Sequence, residues 1–224
     1  MKVKFRKLIA FVIQNLLLLL LAGGCIFVFK ELSEKLLDGR KGITMLDNSA
    51  WNFFKSLQSS WLNNVMRWFS FLGSFIFLPI AAIVLLIVLF LKKYKFYAII
   101  LLILLAGSSL LNVVLKYLFN RSRPDVHGLT DAAWLSYPSG HAMSGICFYG
   151  FLIYLTCKLI ANNAARLVTS LFLMLIITMI GVSRIYLGVH YASDVVAGFA
   201  AGGFWLAVFL IYAETKFRKQ IFHP

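Results

Sequence analysis

Residues 181–194 read GVSRIYLGVHYASD and separate two long apolar runs. An arginine, a histidine and an aspartate stand here at the end of a membrane span, where ionisable side chains are costly and mark functional sites. His190 and Asp194 are four residues apart, so on a helix they share one face. At that spacing a carboxylate can hold one ring nitrogen of the imidazole and leave the other free to react. The stretch therefore predicts a reactive histidine between two spans.

The composition is that of an integral membrane protein. The chain has 224 residues, of which 61% are hydrophobic and 13% charged, whereas soluble domains are about 45–50% apolar and about 25% charged. This length predicts a single membrane domain, 1–224, without a separate soluble module. The net charge of +14 fits topology signals and anionic lipid headgroups rather than nucleic acid. The three cysteines lack haem or zinc spacing, so no cofactor is expected.

Six apolar runs are long enough to cross the hydrocarbon, which takes about 20 residues. They lie at about 8–29, 68–91, 96–118, 139–160, 166–186 and 190–213. The sequence therefore predicts an all-α polytopic bundle of six transmembrane helices. The first run also resembles a signal peptide, but it continues to Phe29, so we expect a retained span. Pro79 predicts a kink in the second span.

A polar segment, about 30–67, lies between the first two spans. It begins charged and becomes amphipathic, with aromatic and aliphatic residues at three- and four-residue spacing from Trp51 to Val65. Tryptophan-rich amphipathic helices lie in the membrane interface. We predict an outer helical segment that anchors the chain, with guidance of a substrate as the alternative.

Loop charge predicts the orientation. With the N-terminus inside, the cytoplasmic segments hold twelve of the 22 basic residues and only one acid, Glu214. The positive-inside rule therefore predicts cytoplasmic termini in a multi-pass cytoplasmic-membrane protein. The ends of the spans around His190 then face the extracytoplasmic side.

Three polar motifs fall on that same side: KYLFNRSRP at 116–124, PSGH at 138–141, and the stretch that contains His190. Arginine offers a planar fork of donors to phosphate oxygens, and lysine offers a point charge. The helix that opens at PSGH presents free backbone N–H groups to an anion, and Gly140 allows a close approach. Ser139 has two predicted roles, phosphate binding or capping of that helix. The motifs together predict a phosphate site.

The two motif histidines suit the two halves of phosphoryl transfer. His190, oriented by Asp194, can attack phosphorus, and His141 can protonate the leaving alkoxide. Arg121 stands outside the motifs, so we expect it to be solvated or to face lipid headgroups. We predict a metal-free site, with bystander roles for the remaining histidines and loop carboxylates. These are Asp125, His127, Asp131 and His223.

The motifs together resemble the three-part signature of the type 2 phosphatidic acid phosphatase (PAP2) superfamily. The matching pattern, within about 85–213, is Lys116-x6-Arg123-Pro124, then Pro138-Ser139-Gly140-His141, then Ser183-Arg184-x5-His190-x3-Asp194. The resemblance implies a metal-independent lipid phosphatase with a phosphohistidine intermediate. It implies His190 as nucleophile, Asp194 as its partner and His141 as general acid. The implied phosphate-binding residues are Lys116, Arg123, Ser139, Gly140 and Arg184.

The same resemblance implies lipid phosphates and polyprenyl diphosphates as substrates. Among bacterial relatives the chain is most similar to the phosphatidylglycerophosphate phosphatase B type, which also acts on undecaprenyl diphosphate. Two alternatives stay open: a lipid phosphotransferase that uses the same phosphohistidine, and a non-catalytic lipid-phosphate binder or transporter. A transporter would need a polar stripe across the spans, and spans four to six are apolar below the site apart from small residues.

Overall fold

The computed structural model describes residues 2–39, 41–124 and 135–222. All regular secondary structure in these ranges is α-helical, which confirms the predicted all-α class. The helices are α1 (Lys2–Leu37), α2 (Lys41–Ser56), α3 (Ser60–Leu72), α4 (Phe77–Leu91), α5 (Lys95–Phe119), α6 (Gly140–Leu159), α7 (Asn163–Tyr186) and α8 (Ala192–Phe222).

Five of these helices are long and apolar enough to cross a membrane, and a sixth span is broken. The five are α1, α5, α6, α7 and α8, and the broken span consists of α3 and α4, which meet at 47°. The helices thus agree with the predicted six spans when α3 and α4 count as one span with a bend inside it.

The bend lies at residues 73–76 and not at Pro79. Gly73 follows the last residue of α3, and the hydroxyl of Ser74 accepts from the N–H of Phe77 at 3.0 Å, which starts α4. Pro79 occupies the first turn of α4, where a helix leaves its N–H groups without internal acceptors, so proline is tolerated there. The predicted kink at Pro79 is therefore wrong, because a turn breaks the span before the proline.

The predicted amphipathic segment is helical, and it consists of more than one helix. Its charged start continues α1, where Lys30 pairs with Glu34 at 3.6 Å and Lys35 with Glu31 at 2.9 Å. Its remainder forms α2 and the start of α3. Helix α3 packs against α7. The hydroxyl of Ser59 caps α3. The segment thus leads directly into the second span.

The centre of the bundle is the contact of α6 with α8, and α1 packs along α8. Small residues of α8 allow this close approach. A Cβ atom on Gly202 would lie 2.5 Å from Cγ2 of Ile146 and 2.6 Å from the carbonyl oxygen of Met143. The two helices therefore hold a fixed separation, and both begin at the same end of the bundle.

Substitution of Gly202 tests this packing. We expect Gly202→Ala to lower the free energy of unfolding by about 1–3 kcal/mol, because the new methyl group overpacks α6. Thermal unfolding in one detergent measures the effect. Gly23→Ala is the matched control, since a Cβ there meets no described atom within 4 Å. Equal melting temperatures for the two variants would contradict the packing argument.

Candidate active site

The last turns of α5 and α7 and the first turns of α6 and α8 come together at one end of the bundle, which we call the site end. The structure brings all the predicted catalytic and phosphate-binding residues to this end. They are Lys116, Arg123, Ser139, Gly140, His141, Arg184, His190 and Asp194. The carbonyl oxygen of Asp194 accepts from the N–H of Ser139 at 2.9 Å, which fixes α8 to the turn that opens α6.

A tight turn between α7 and α8 places His190. Gly188 has a φ of 72°, a left-handed conformation that favours glycine. The chain then folds back, so that the carbonyl oxygen of Arg184 accepts from the N–H groups of Val189 and His190 at 3.2 and 3.3 Å. His190 therefore precedes α8, whereas Asp194 lies in its first turn.

The imidazole of His190 is buried, and its two nitrogens have different partners. Nδ1 lies 3.4 Å from Oδ2 of Asp194, and Nε2 lies 3.2 Å from a guanidinium nitrogen of Arg123. A guanidinium only donates, so Nε2 carries the lone pair and Nδ1 the hydrogen. The predicted pairing is present, although His190 lies in the turn before α8 and not on a helical face, and the nitrogen away from the carboxylate carries the lone pair.

The charge state of His190 also suits a nucleophile. Burial lowers the pKa of His190 to about 4, and the Asp194 carboxylate opposes this shift. The guanidinium groups of Arg184 and Arg123 lower the pKa further. The imidazole is therefore neutral at physiological pH, which is the form that can attack an electrophile.

Two buried polar atoms at the site end have no protein partner among the described residues: the hydroxyl of Ser139 and Nε of Arg184. Such atoms are rare in folded proteins and require an explanation. Ser139 is the residue before α6, but its side chain makes no capping hydrogen bond within the described chain. Of its two predicted roles, this favours ligand binding. The Arg184 side chain is held by the hydroxyl of Ser70 on α3, so its remaining donors have a fixed direction.

Backbone carbonyl groups hold the other two cations, Lys116 and Arg123. The ammonium of Lys116 donates to the carbonyl of Leu135, and Arg123 donates to the carbonyl of Val189 at 2.6 Å. Burial lowers the pKa of Arg123, and the carboxylate of Asp194 partly offsets this. These two backbone carbonyl groups therefore fix both cations at the site end and leave their positive charge in place.

His141 lies in the first turn of α6, against the ring of Phe75 at 5.5 Å between centroids. The positively charged side chains of Lys116, Arg123 and Arg184 lie close enough to interact electrostatically with its imidazole. A Cβ atom on the preceding Gly140 would lie 3.0 Å from Oδ1 of Asn112 and 3.1 Å from Cζ of Phe75. The glycine is thus required by packing as well as for its predicted approach to a ligand.

Sequence reasoning misplaced Arg121. Its side chain is only 14% exposed and pairs with Asp47 at 2.8 Å and with Asp194 at 2.6 Å. The prediction of a solvated arginine is therefore wrong, because two buried carboxylates hold it. Residues 125–134 and 223, which include the predicted bystanders, lie outside the described residues.

Four further residues support the site and escaped the sequence reasoning. Asp47 binds Arg121, Ser70 binds Arg184, and Ser136 donates to Oδ2 of Asp194. Asn112 donates from its amide to the carbonyl of Pro138 at 3.2 Å. Asp47 had one usable signal: it is the single acid between residues 41 and 67.

Comparison with known proteins decides the family. The profile described as the PAP2 superfamily matches residues 96–218, which is more than half of the chain. The chain belongs to the PAP2 superfamily. Phosphatidylglycerophosphatase B of Bacillus subtilis is 32% identical over 166 residues, or 74% of this chain and 79% of that protein. Lipid A 4'-phosphatase of Bacteroides thetaiotaomicron is 27% identical over 187 residues, or 76% of this chain and 79% of that protein.

The fold of this PAP2 chain also has a solved counterpart. The crystal structure of a transmembrane PAP2-type phosphatidylglycerolphosphate phosphatase from Bacillus subtilis superposes with a TM-score of 0.78 at 26% identity. The match covers 90% of this chain and 98% of that one. The chain is thus a multi-pass membrane lipid phosphatase, a phosphoric monoester hydrolase, as the sequence predicted.

Replacement of Ser139 separates ligand binding from folding. In Ser139→Ala we expect kcat/KM to fall about 10- to 100-fold, because a hydrogen bond to a charged phosphate is lost. The melting temperature should stay equal or rise, since the hydroxyl has no hydrogen-bond partner among residues 2–39, 41–124 and 135–222. Phosphate release and thermal unfolding measure the two quantities. Ser170→Ala, which removes a similarly unpartnered hydroxyl within α7, is the control. A drop in stability with unchanged kcat/KM would reverse this assignment.

Proposed function

We propose that the chain hydrolyses lipid phosphomonoesters or polyprenyl diphosphates through a phosphohistidine on His190, at the outer face of the cytoplasmic membrane. The observation that carries this proposal is the neutral Nε2 of His190 at an end of the bundle where the buried Ser139 hydroxyl and Arg184 Nε have no partner among the described residues. A phosphoryl group offers acceptor oxygens to those donors and phosphorus to the lone pair. The substrate class comprises phosphatidylglycerophosphate, phosphatidate and undecaprenyl diphosphate.

In the first step Nε2 of His190 forms a bond to phosphorus as the bond from phosphorus to the leaving oxygen breaks. The negative charge of the bound phosphoryl group offsets the nearby cations and allows His141 to bind a proton, which it donates to that oxygen. His190 keeps its hydrogen on Nδ1 and gains positive charge, which the carboxylate of Asp194 stabilises. The phosphoryl oxygens are held by the side chains of Lys116, Arg123, Ser139 and Arg184 and by the amide of Gly140.

In the second step water attacks the phosphohistidine from the side that the leaving group has vacated. His141, now neutral, accepts the proton of the water. The bond between Nε2 and phosphorus breaks, inorganic phosphate leaves, and His190 is again neutral. Transfer to another acceptor shares every step up to the phosphohistidine. The relatives named above are phosphatases, which favours water as the acceptor.

An apolar cavity supports a lipid substrate. It has a volume of about 260 Å³, lies between α4 and α5, and is lined at one end by Phe75 and Ser144. Since Phe75 packs against His141, the cavity reaches the side of the site where the leaving group departs. A lipid tail in this cavity would stay in the bilayer while its headgroup met the cations. The outer placement rests on the charge asymmetry of the loops.

Loss of the nucleophile gives the decisive test. We expect His190→Ala to release phosphate from none of the three lipids, a fall of at least about 10³-fold, because no second nucleophile replaces the imidazole. Wild-type enzyme quenched with phosphate-labelled phosphatidate should carry label on His190. His127→Ala, a predicted bystander, is the histidine control. Full activity in His190→Ala would refute the mechanism.

Metal removal tests the proposal that the reaction needs no metal ion. Purified enzyme in excess EDTA should keep its rate, because three protein cations neutralise the phosphoryl charge that a metal would otherwise balance. Initial rates before and after addition of Mg²⁺ or Zn²⁺ measure this. A loss in EDTA that added metal restores would contradict the metal-free proposal.

A further inference from the structure

A buried ionic network connects α2 to the site. The carboxylate of Asp47 is 1% exposed. Its Oδ1 accepts from the N–H of Ser193 at 2.8 Å, and its Oδ2 accepts from the Ser193 hydroxyl at 2.7 Å. Ser193 is in the first turn of α8, so Asp47 satisfies a free N–H group at the start of that helix. The same Oδ2 accepts from Arg121 at 2.8 Å.

Arg121 divides its donors between two acids. One terminal nitrogen binds Asp47, and the other donates to Oδ1 of Asp194 at 2.6 Å and to the Ser193 hydroxyl at 2.8 Å. Its guanidinium lies 3.9 Å from the ring centre of Tyr191, a cation–π contact. Burial lowers the pKa of Arg121, but the two aspartates outweigh burial and raise it. Arg121 is therefore a fixed, permanent cation.

The two carboxylate oxygens of Asp194 bind different partners. Oδ2 faces Nδ1 of His190 and accepts from the N–H of Tyr191 at 2.9 Å and from the Ser136 hydroxyl. Oδ1 is bound by Arg121. A carboxylate is planar, so a partner that fixes Oδ1 also fixes the direction of Oδ2. The orientation of His190 thus depends on a contact on the far side of its aspartate.

We propose that Arg121 and Asp47 are positioning residues for the reaction, which hold Asp194 in the orientation that serves His190. This inference rests on the proposed function. It makes α2 a part of the catalytic apparatus, in addition to its predicted role as an anchor.

The charge balance explains why both residues are needed. Without Arg121, the carboxylates of Asp47 and Asp194 would repel each other in a buried site. Without Asp47, Arg121 would pair with Asp194 alone and draw its negative charge away from His190. With both present, the two acids and one cation keep a net negative charge, which stabilises the imidazolium character of the phosphohistidine.

A set of variants tests this role through kcat and KM, measured on phosphatidate in detergent. We expect Arg121→Gln to lower kcat about 10- to 100-fold, the range found when residues that orient metal-binding histidines are lost, with KM changed less than about threefold. Arg121→Lys should regain part of the loss, because it restores the charge but not the fork. Asp47→Asn should lower kcat by a smaller factor.

The deciding measurement is the same substitution in an Asp194→Asn background, where we expect kcat about 10²- to 10⁴-fold below wild type. If a residue acts only through Asp194, its substitution causes no further loss of kcat in the Asp194→Asn background. If Arg121→Gln and Asp47→Asn lower kcat by the same factor in both backgrounds, or leave it unchanged in both, the inference is overturned. If Arg121→Gln does not fold, the same comparison of kcat in the two backgrounds is made with Asp47→Asn and Arg121→Lys.

Matched controls come from the exposed pair Lys30–Glu34, which lies on the last turns of α1. Lys30→Gln and Glu34→Gln remove the same charges and should change kcat less than about twofold, because exposed pairs contribute little. His190→Ala separates this inference from the proposed function. An active His190→Ala enzyme refutes the phosphohistidine itself, whereas an inactive one with additive Arg121 effects refutes only the positioning role.

Discussion

The carboxylate of Asp194 is fully buried, and an ionised group in that position is costly unless several partners compensate for it. Its partners come from separate parts of the chain: Ser136 precedes α6, Arg121 follows α5, and His190 precedes α8. The requirement to satisfy one charge therefore brings three helix ends to one point. The orientation of the His190 ring follows from that requirement, because its Nδ1 is one of the compensating donors.

Packing in the bundle maintains this arrangement. Helices in lipid gain little from burying apolar surface against each other, so close contact and polar links hold them together. A Cβ atom on Gly198 of α8 would lie 2.6 Å from the carbonyl oxygen of Ser139. The absence of that atom lets the N–H of Ser139 reach the Asp194 carbonyl. The same contact that packs two helices thus joins the turn before α6 to the helix that carries Asp194.

Much of this architecture follows from local sequence. Span length gave the six-span bundle, and motif order with loop charge placed both histidines at one end. The supporting residues required tertiary structure. Asp47 lies in the predicted outer segment and Ser70 near the start of the predicted second span, and periodicity there shows which face is apolar but not which residues it meets. Arg121 was misassigned for the same reason: a motif names neighbours in the chain, whereas its partners lie 73 and 74 residues away.

The contact of Ser70 with Arg184 has a consequence for how such enzymes can be recombined. Together with the pair of Asp47 and Arg121, it connects the first half of the chain to arginines in the second half. A chimaera that takes its first four helices from a relative would exchange part of the exposed apolar surface and these two contacts at once. Such an exchange is compatible with the remaining half only if the donor supplies an acid at position 47 and a hydroxyl at position 70.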